Sequence, residues 1–313
     1  MLSRVADRLY WMARYIERAE NTARMINVHS MLMLDLPRGV GIQWSQLLEV
    51  SGSDELFHSR YRTAGEFNVL KFIAADPSNP GSLLCTLSMA RENVRTTRDQ
   101  IPVEAWQAIN ELYLYGRRRL TSPTMHKNRH RIMSEIIARC QRTTGLLSGA
   151  MSHGPGYQFV RIGRNIERAD MTSRIVDVGS ATLVAEGDER KRLANRLWMN
   201  VLNALSAHQM YRQNVRRRIR RGDAIRFLMQ DPEFPRSVSH TLLQLRECTR
   251  QLPNPRHTGR AIMRLHNLIM RQDFEDLAGE SLHKFIDDLQ EELAGVHSII
   301  SRTWFVIGAD ETV

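Results

Sequence analysis

Apolar residues recur at intervals of three and four along the first stretch of the chain. Between Val5 and Leu34 they fall at Leu9, Met12, Ile16, Ala19, Ala23 and Ile26, with Ser30 completing the stripe. That is the period of one helix face. The pattern predicts a long helix, capped by Ser3 and ended by Pro37 and Gly39. The same spacing predicts helices over residues 44–61, 82–100, 103–115 and 129–151, then over 157–185, 189–220, 235–252, 258–270 and 281–304. Prolines sit between the segments, among them Pro77, Pro80, Pro102, Pro123, Pro155, Pro232 and Pro253. No run alternates with period two, so no strand is predicted and the expected fold class is all-α.

The chain also repeats itself. Ile16-Glu17-Arg18-Ala19-Glu20 reads against Ile166-Glu167-Arg168-Ala169-Asp170, and the same offset of 150 pairs Arg14 with Arg164, Thr22 with Thr172, Arg24 with Arg174 and Val28 with Val178. Further on, Trp44 pairs with Trp198 and Leu48 with Leu202. At an offset of 155, Asp76-Pro77, Pro80, Ser82, Thr86, Arg91 and Arg95 pair with Asp231-Pro232, Pro235, Ser237, Thr241, Arg246 and Arg250. Matches in the same order imply a duplication of the whole chain. The expected architecture is an internally duplicated helical bundle with pseudo-two-fold related halves, residues 1–153 and 154–313, as two packed repeats or one intertwined domain. Equivalent helices then meet near the pseudo-axis, and the two Ile-Glu-Arg-Ala helices face each other.

The repeated helix carries the candidate chemistry. Tyr10, Arg14, Glu17, Asn21 and Arg24 lie four, three, four and three apart and share one helix face, flanked by Arg18 and Glu20. The second copy keeps Arg164, Glu167, Arg168 and Arg174, with Asp170 for Glu20 and Met171 for Asn21. Two readings stand side by side. In one, the arginines and carboxylates form an ion-pair network that fixes helix register. In the other, the arginines hold an anionic group while Glu17 and Glu167, the two candidate catalytic residues, position a proton or an amine. If one copy alone is functional, the first is expected to be it and the second to be architectural.

A di-iron carboxylate bundle needs Glu-x-x-His on two helices. Glu280-Ser281-Leu282-His283 supplies one, but the aligned Lys127-Asn128-Arg129-His130 lacks the glutamate, so no metal site is expected. No phosphate-binding glycine loop and no Gly-x-Ser-x-Gly elbow occurs, so no nucleotide or other cofactor is expected.

The charge balance narrows the partners. The 313 residues carry a formal net charge of +10, with 42% hydrophobic and 25% charged residues, a globular composition. An excess of arginine calls for an acidic partner: an acidic peptide or protein, or nucleic acid. The strongest cluster is Arg216, Arg217, Arg218, Arg220 and Arg221, with a smaller one at Arg117, Arg118 and Arg119. No nucleic-acid-binding motif accompanies either, so a helix end or protein docking patch is favoured over nucleic acid. Cys85, Cys140 and Cys248 are odd in number and far apart, as in reduced thiols. With neither a signal-like start nor an apolar run long enough to span a bilayer, no membrane partner and a cytoplasmic location are expected.

The segment from Leu9-Tyr10-Trp11-Met12-Ala13-Arg14 through Tyr15-Ile16-Glu17-Arg18-Ala19-Glu20 to Asn21-Thr22-Ala23-Arg24 closely resembles the bacterial Alpha-E family. The similarity runs on through Asp76-Pro77 to Ser301-Arg302-Thr303-Trp304. The resemblance implies a purely helical protein encoded beside, or fused to, a circularly permuted ATP-grasp ligase and a transglutaminase-like protease. It therefore implies a role in amide-bond formation during peptide synthesis or modification. It supplies no catalytic residues, and the family's motif falls on Arg14, Glu17, Arg18, Glu20, Asn21 and Arg24. Three readings stay open: a component that holds an acidic peptide or docks the ligase and is not catalytic alone, a stand-alone enzyme using Glu17 or Glu167, and a nucleic-acid binder using the arginine run.

Overall fold

The computed structural model of the chain describes residues 2–35, 43–181, 188–277 and 279–306. These residues form helices and no strand. The first half holds α1 (Ser3–Asp35), α2 (Gln46–Ser51), α3 (Asp54–His58), α4 (Glu66–Ala75), α5 (Leu83–Arg95), α6 (Val103–Leu120) and α7 (Met125–Ala150). The second holds α8 (Pro155–Ala181), α9 (Asp188–Ala204), α10 (His208–Val215), α11 (Arg221–Gln230), α12 (Val238–Arg250), α13 (Arg256–Arg271) and α14 (Glu280–Trp304).

The two long helices α1 and α8 form the centre and pack against each other. Helices α5 and α7 lie against α1, while α12 and α14 lie against α8. One hydrophobic core runs through both halves, from Leu9 and Ile26 through Leu87 and Ile136 to Ile166, Leu245 and Ile300. From Ala19 to Asn27 every residue of α1 is buried, polar ones included. A helix buried all round must pair its polar groups internally, which sets the terms for the Arg/Glu stripe. Helices α1 and α8 come into backbone contact at Gly163: a Cβ there would stand 2.1 Å from the Tyr10 carbonyl oxygen.

Several boundaries differ from the sequence pattern, for local reasons. The helix predicted over 44–61 is two helices, because Gly52 takes a left-handed conformation at φ +61° and closes α2. The one predicted over 189–220 breaks at Ser206 (φ +52°) and stops at Val215, with Arg216 (φ +50°) as its left-handed end. Ser3 is the first residue of α1 rather than its cap, and Leu2 accepts the first backbone bonds. Helices α4 and α11 have no counterpart among the predicted segments. Pro155 opens α8, where its missing N–H costs nothing. Residues 37, 39 and 182–185, expected to end α1 and α8, lie outside the described residues, as does the side chain of Val178.

The repeated Asp-Pro segments share one device. Asp76 Oδ1 accepts from Ser78 N at 2.9 Å, and Asp231 Oδ1 from Glu233 N at 2.9 Å and Phe234 N at 2.7 Å. Ser82 and Ser237 then cap α5 and α12, accepting from Cys85 N and His240 N.

Candidate functional site

The crossing of α1 and α8 brings the two Glu-Arg pairs together, each binding the other. Arg18 reaches across to Glu167 through Nε (2.5 Å to Oε1) and Nη2 (3.0 Å to Oε2). Arg168 reaches back to Glu17 through Nε and Nη2, both at 2.9 Å, one to each oxygen. Both contacts are bidentate, the strongest geometry for this pair of groups. Glu17 and Glu167 are 2% and 0% exposed, so their charges are stabilised by protein groups rather than water.

Each carboxylate has a second arginine, and here the copies part. Glu167 takes Arg14, whose Nε lies 2.8 Å from Oε2. Glu17 does not take Arg164, the counterpart of Arg14. It takes Arg236, whose Nη1 donates to Glu17 Oε1 at 2.9 Å and to Asn21 Oδ1 at 2.8 Å, while Nη2 donates to Glu20 Oε1 at 2.6 Å. Arg24 also grips Glu20, at 3.0 and 2.8 Å, and its Nη1 donates to Ser206 Oγ at 2.5 Å. On the other side Asp170 takes Arg174, at 3.1 Å, and no second arginine among the described residues. Arg164 is left over: its Nε is buried without a hydrogen-bond partner among the described residues. Burial, and then the neighbouring Arg168, lower its pKa against the pull of Glu17. It lines a void of ≈10 Å³ beside Glu17, room for about one water.

The electrostatics follow from this pairing. Burial alone raises the pKa of Glu17, but Arg168 and Arg236 outweigh it and hold the carboxyl below its ordinary range. Arg14 and Arg18 do the same for Glu167. Both groups are ionised near neutrality and already accept from several guanidinium nitrogens. A general base needs a pKa near the working pH and a free lone pair facing substrate. Neither glutamate has these, so the ion-pair reading of the motif is the one this geometry favours.

Around this centre, Tyr10 is fully buried. Its Oη lies 2.7 Å from His297 Nδ1, and Arg14 Nη1 donates to it at 3.4 Å. Burial pushes the Tyr10 phenol up to about 12. Arg14 also stacks over Trp11, 4.8 Å from the ring centroid. All twelve motif positions named from the sequence thus lie along the α1–α8 crossing. Arg236, Ser206 and His297 were not foreseen. The signal for Arg236 is in the repeat: continuing the offset that pairs Ser82 with Ser237 puts Gly81 opposite Arg236.

Two cavities flank the ion pairs. One, of ≈300 Å³, is lined by Glu20, Arg168, Ser206, Pro235 and Arg236 among others. The other, of ≈180 Å³, is lined by Arg18, Thr22, Ser51, Gly81, Asp170 and Arg174 among others. The first copy faces the cavity that Arg236 lines, and the second faces the one beside Gly81.

The other candidates lie away from this centre. Arg216, Arg217, Arg218 and Arg220 are exposed between α10 and α11, and Arg221 is tied to the carbonyls of Glu275 and Leu277. His283 contacts Asp177 at 2.9 Å and Asp287 at 3.4 Å. Hydrogen bonding and charge from Asp177 raise its pKa, as in an imidazolium ion pair, and Glu280 is not part of the group. Among the described residues no helix is long and apolar enough to cross a membrane.

A family model, Alpha-E, described as a predicted alpha-helical domain with a conserved ER motif, matches residues 1–305. Similar proteins from Mycobacterium bovis and Mycobacterium tuberculosis, both named only as uncharacterized, are 23% identical over 98% of this chain. The chain spans 37% of the length of these curated relatives. No solved structure matches.

Proposed function

The chain belongs to the Alpha-E family, and on that premise we propose that it is the helical component of an ATP-grasp amidoligase system for peptide synthesis or modification. It holds an anionic peptide substrate or docks the ligase, and it does not catalyse the reaction alone. The observation that carries this reading is the state of Glu17 and Glu167. Each is buried, held ionised and bound by arginines, so the motif builds a scaffold and leaves no free acid–base group at its centre. The net charge of +10 suits an acidic partner. The greater length of the mycobacterial relatives suits the fusion to other domains that the family resemblance implies.

The finer architecture belongs to the same reading. Residues 1–153 and 154–313 are duplicated halves related by a pseudo-two-fold axis through the α1–α8 crossing. The exchange of partners, Arg18 with Glu167 and Arg168 with Glu17, supports this: each half completes the other's motif. The halves then act as one domain, because neither buries its glutamate alone.

The test is co-purification of the full chain with an ATP-grasp ligase from the same organism. A stable complex is expected. No association, together with full ligase activity in the absence of the chain, overturns the proposal.

A further inference from the structure

The two cavities that flank the ion pairs differ in the state of their donors. Beside Arg236 the guanidiniums are committed: Arg168 gives Nε and Nη2 to Glu17 and Nη1 to the Pro235 carbonyl, and Arg236 gives both Nη atoms to Glu17, Asn21 and Glu20. Beside Gly81 they are not. Arg18 spends Nε and Nη2 on Glu167, and Arg174 spends Nε on Asp170. Nη1 of Arg18 and both Nη atoms of Arg174 make no hydrogen bond among the described residues. Both side chains are 29% exposed, against 13% for Arg168 and 10% for Arg236.

Both stripes face a cavity, but two positions that differ between them change which donors are free. Gly81 stands where Arg236 stands in the other copy, and Met171 replaces Asn21, the residue that Arg236 Nη1 bonds. The second stripe thus lacks the guanidinium that binds the carboxylates and the amide of the first.

We propose that the cavity between Arg18 and Arg174, beside Gly81, binds a carboxylate of an acidic peptide. This rests on the function proposed above and names its ligand class and its place. Three observations set the choice. Arg14, Arg18 and Arg174 stand against Glu167 and Asp170, and Asp177, the further carboxylate near Arg174, is engaged by His283, so the cavity suits an anion better than a cation. The one carboxylate in the lining, Asp170, is already bound by Arg174 Nε, and the other charged groups there are the guanidiniums of Arg18 and Arg174. Free guanidinium edges match a planar carboxylate, and ≈180 Å³ takes a carboxylate side chain with part of its backbone.

The experiment titrates the full chain with acetyl-Glu-amide, with acetyl-Gln-amide as its uncharged isostere and inorganic phosphate as the alternative anion. Saturable binding of the glutamate probe is expected. Loss of a charge-assisted contact weakens binding about tenfold, so the glutamine probe and the variant Arg174→Gln should each cost about that factor. Gly81→Arg, which restores the missing guanidinium, should abolish binding. Circular dichroism checks that each variant is folded, and Arg174→Gln decides if Gly81→Arg is not. No saturable binding, equal binding of both amides, or wild-type affinity in a folded Arg174→Gln overturns the proposal. Phosphate binding as tight as the glutamate probe and lost in the same variants overturns the carboxylate assignment. The isolated chain is the sample, so failure here is distinct from failure to associate with a ligase.

Discussion

Arg18 holds the fully buried carboxylate of Glu167 with two contacts, at 2.5 and 3.0 Å, and Arg168 holds Glu17 in the same bidentate way. Neutralising one carboxylate leaves two arginines buried against each other. Glu167→Gln should therefore cost about 3–5 kcal/mol of stability, the usual result of breaking one side of a buried pair. Glu17→Gln should cost a similar amount. Urea unfolding measures both. A stable Glu17→Gln chain that has lost activity would instead assign Glu17 a chemical role.

The contact of α1 with α8 at Gly163 reverses an ordinary rule. In an exposed helix interior, Gly→Ala stabilises by about 1 kcal/mol. Here the new methyl would fall 2.1 Å from the Tyr10 carbonyl oxygen, and backbone cannot step aside as a flexible side chain does. Gly163→Ala should destabilise by about 1–3 kcal/mol or more. An unchanged or raised melting temperature would mean that α1 and α8 do not approach this closely.

His29 gives the chain a signature in mild acid. Its ring packs against Trp44 at 4.9 Å between centroids, and its Nε2 is buried without a partner among the described residues. Burial lowers its pKa from 6.5 to about 4. The unfolded chain takes up a proton below pH 6.5 that the folded chain refuses until about pH 4. Stability should therefore fall as pH drops from 6.5, by about 3 kcal/mol in all, and level off near 4. Glu17 and Glu167 act in a lower window. Their folded pKa values are depressed, so their contribution is present above the ordinary carboxylate value of 4.5 and is lost as pH falls below it. In His29→Gln the upper slope should shrink to what His266 and His297 contribute, whose pKa values burial also lowers, while the lower one remains. Stability curves against pH distinguish the two.

The thiols should sort by burial. Cys140 and Cys248 are buried and burial raises both pKa values, that of Cys248 to about 11, while Cys85 is half-buried. A thiol reagent applied to the native chain should modify Cys85 at most. Rapid labelling of Cys140 would show that the core opens.

The helices were legible because their apolar spacing is a local property, and α1 and α8 are long enough for the period to be unmistakable. The breaks at Gly52 and Ser206 were not, since a left-handed residue leaves little trace in a hydrophobic pattern. The motif residues were legible as a stripe, and the recurrence of that stripe in the sequence implied that the two face each other. Which arginine serves which glutamate was not. That depends on the α1–α8 crossing, and it sends Arg14 to Glu167 while leaving its counterpart Arg164 without Glu17. Arg236 was overlooked because it lies outside the repeated helix. Its importance appears only once Gly81 is seen to stand opposite it.

On the proposed function, this chain holds an acidic peptide for an ATP-grasp ligase. The most direct measurement is ADP release by the purified ATP-grasp protein on an acidic peptide, with and without the full chain. A higher rate with the wild-type chain, and no gain with folded Arg174→Gln, is the predicted result. The same rate with and without the chain would contradict it.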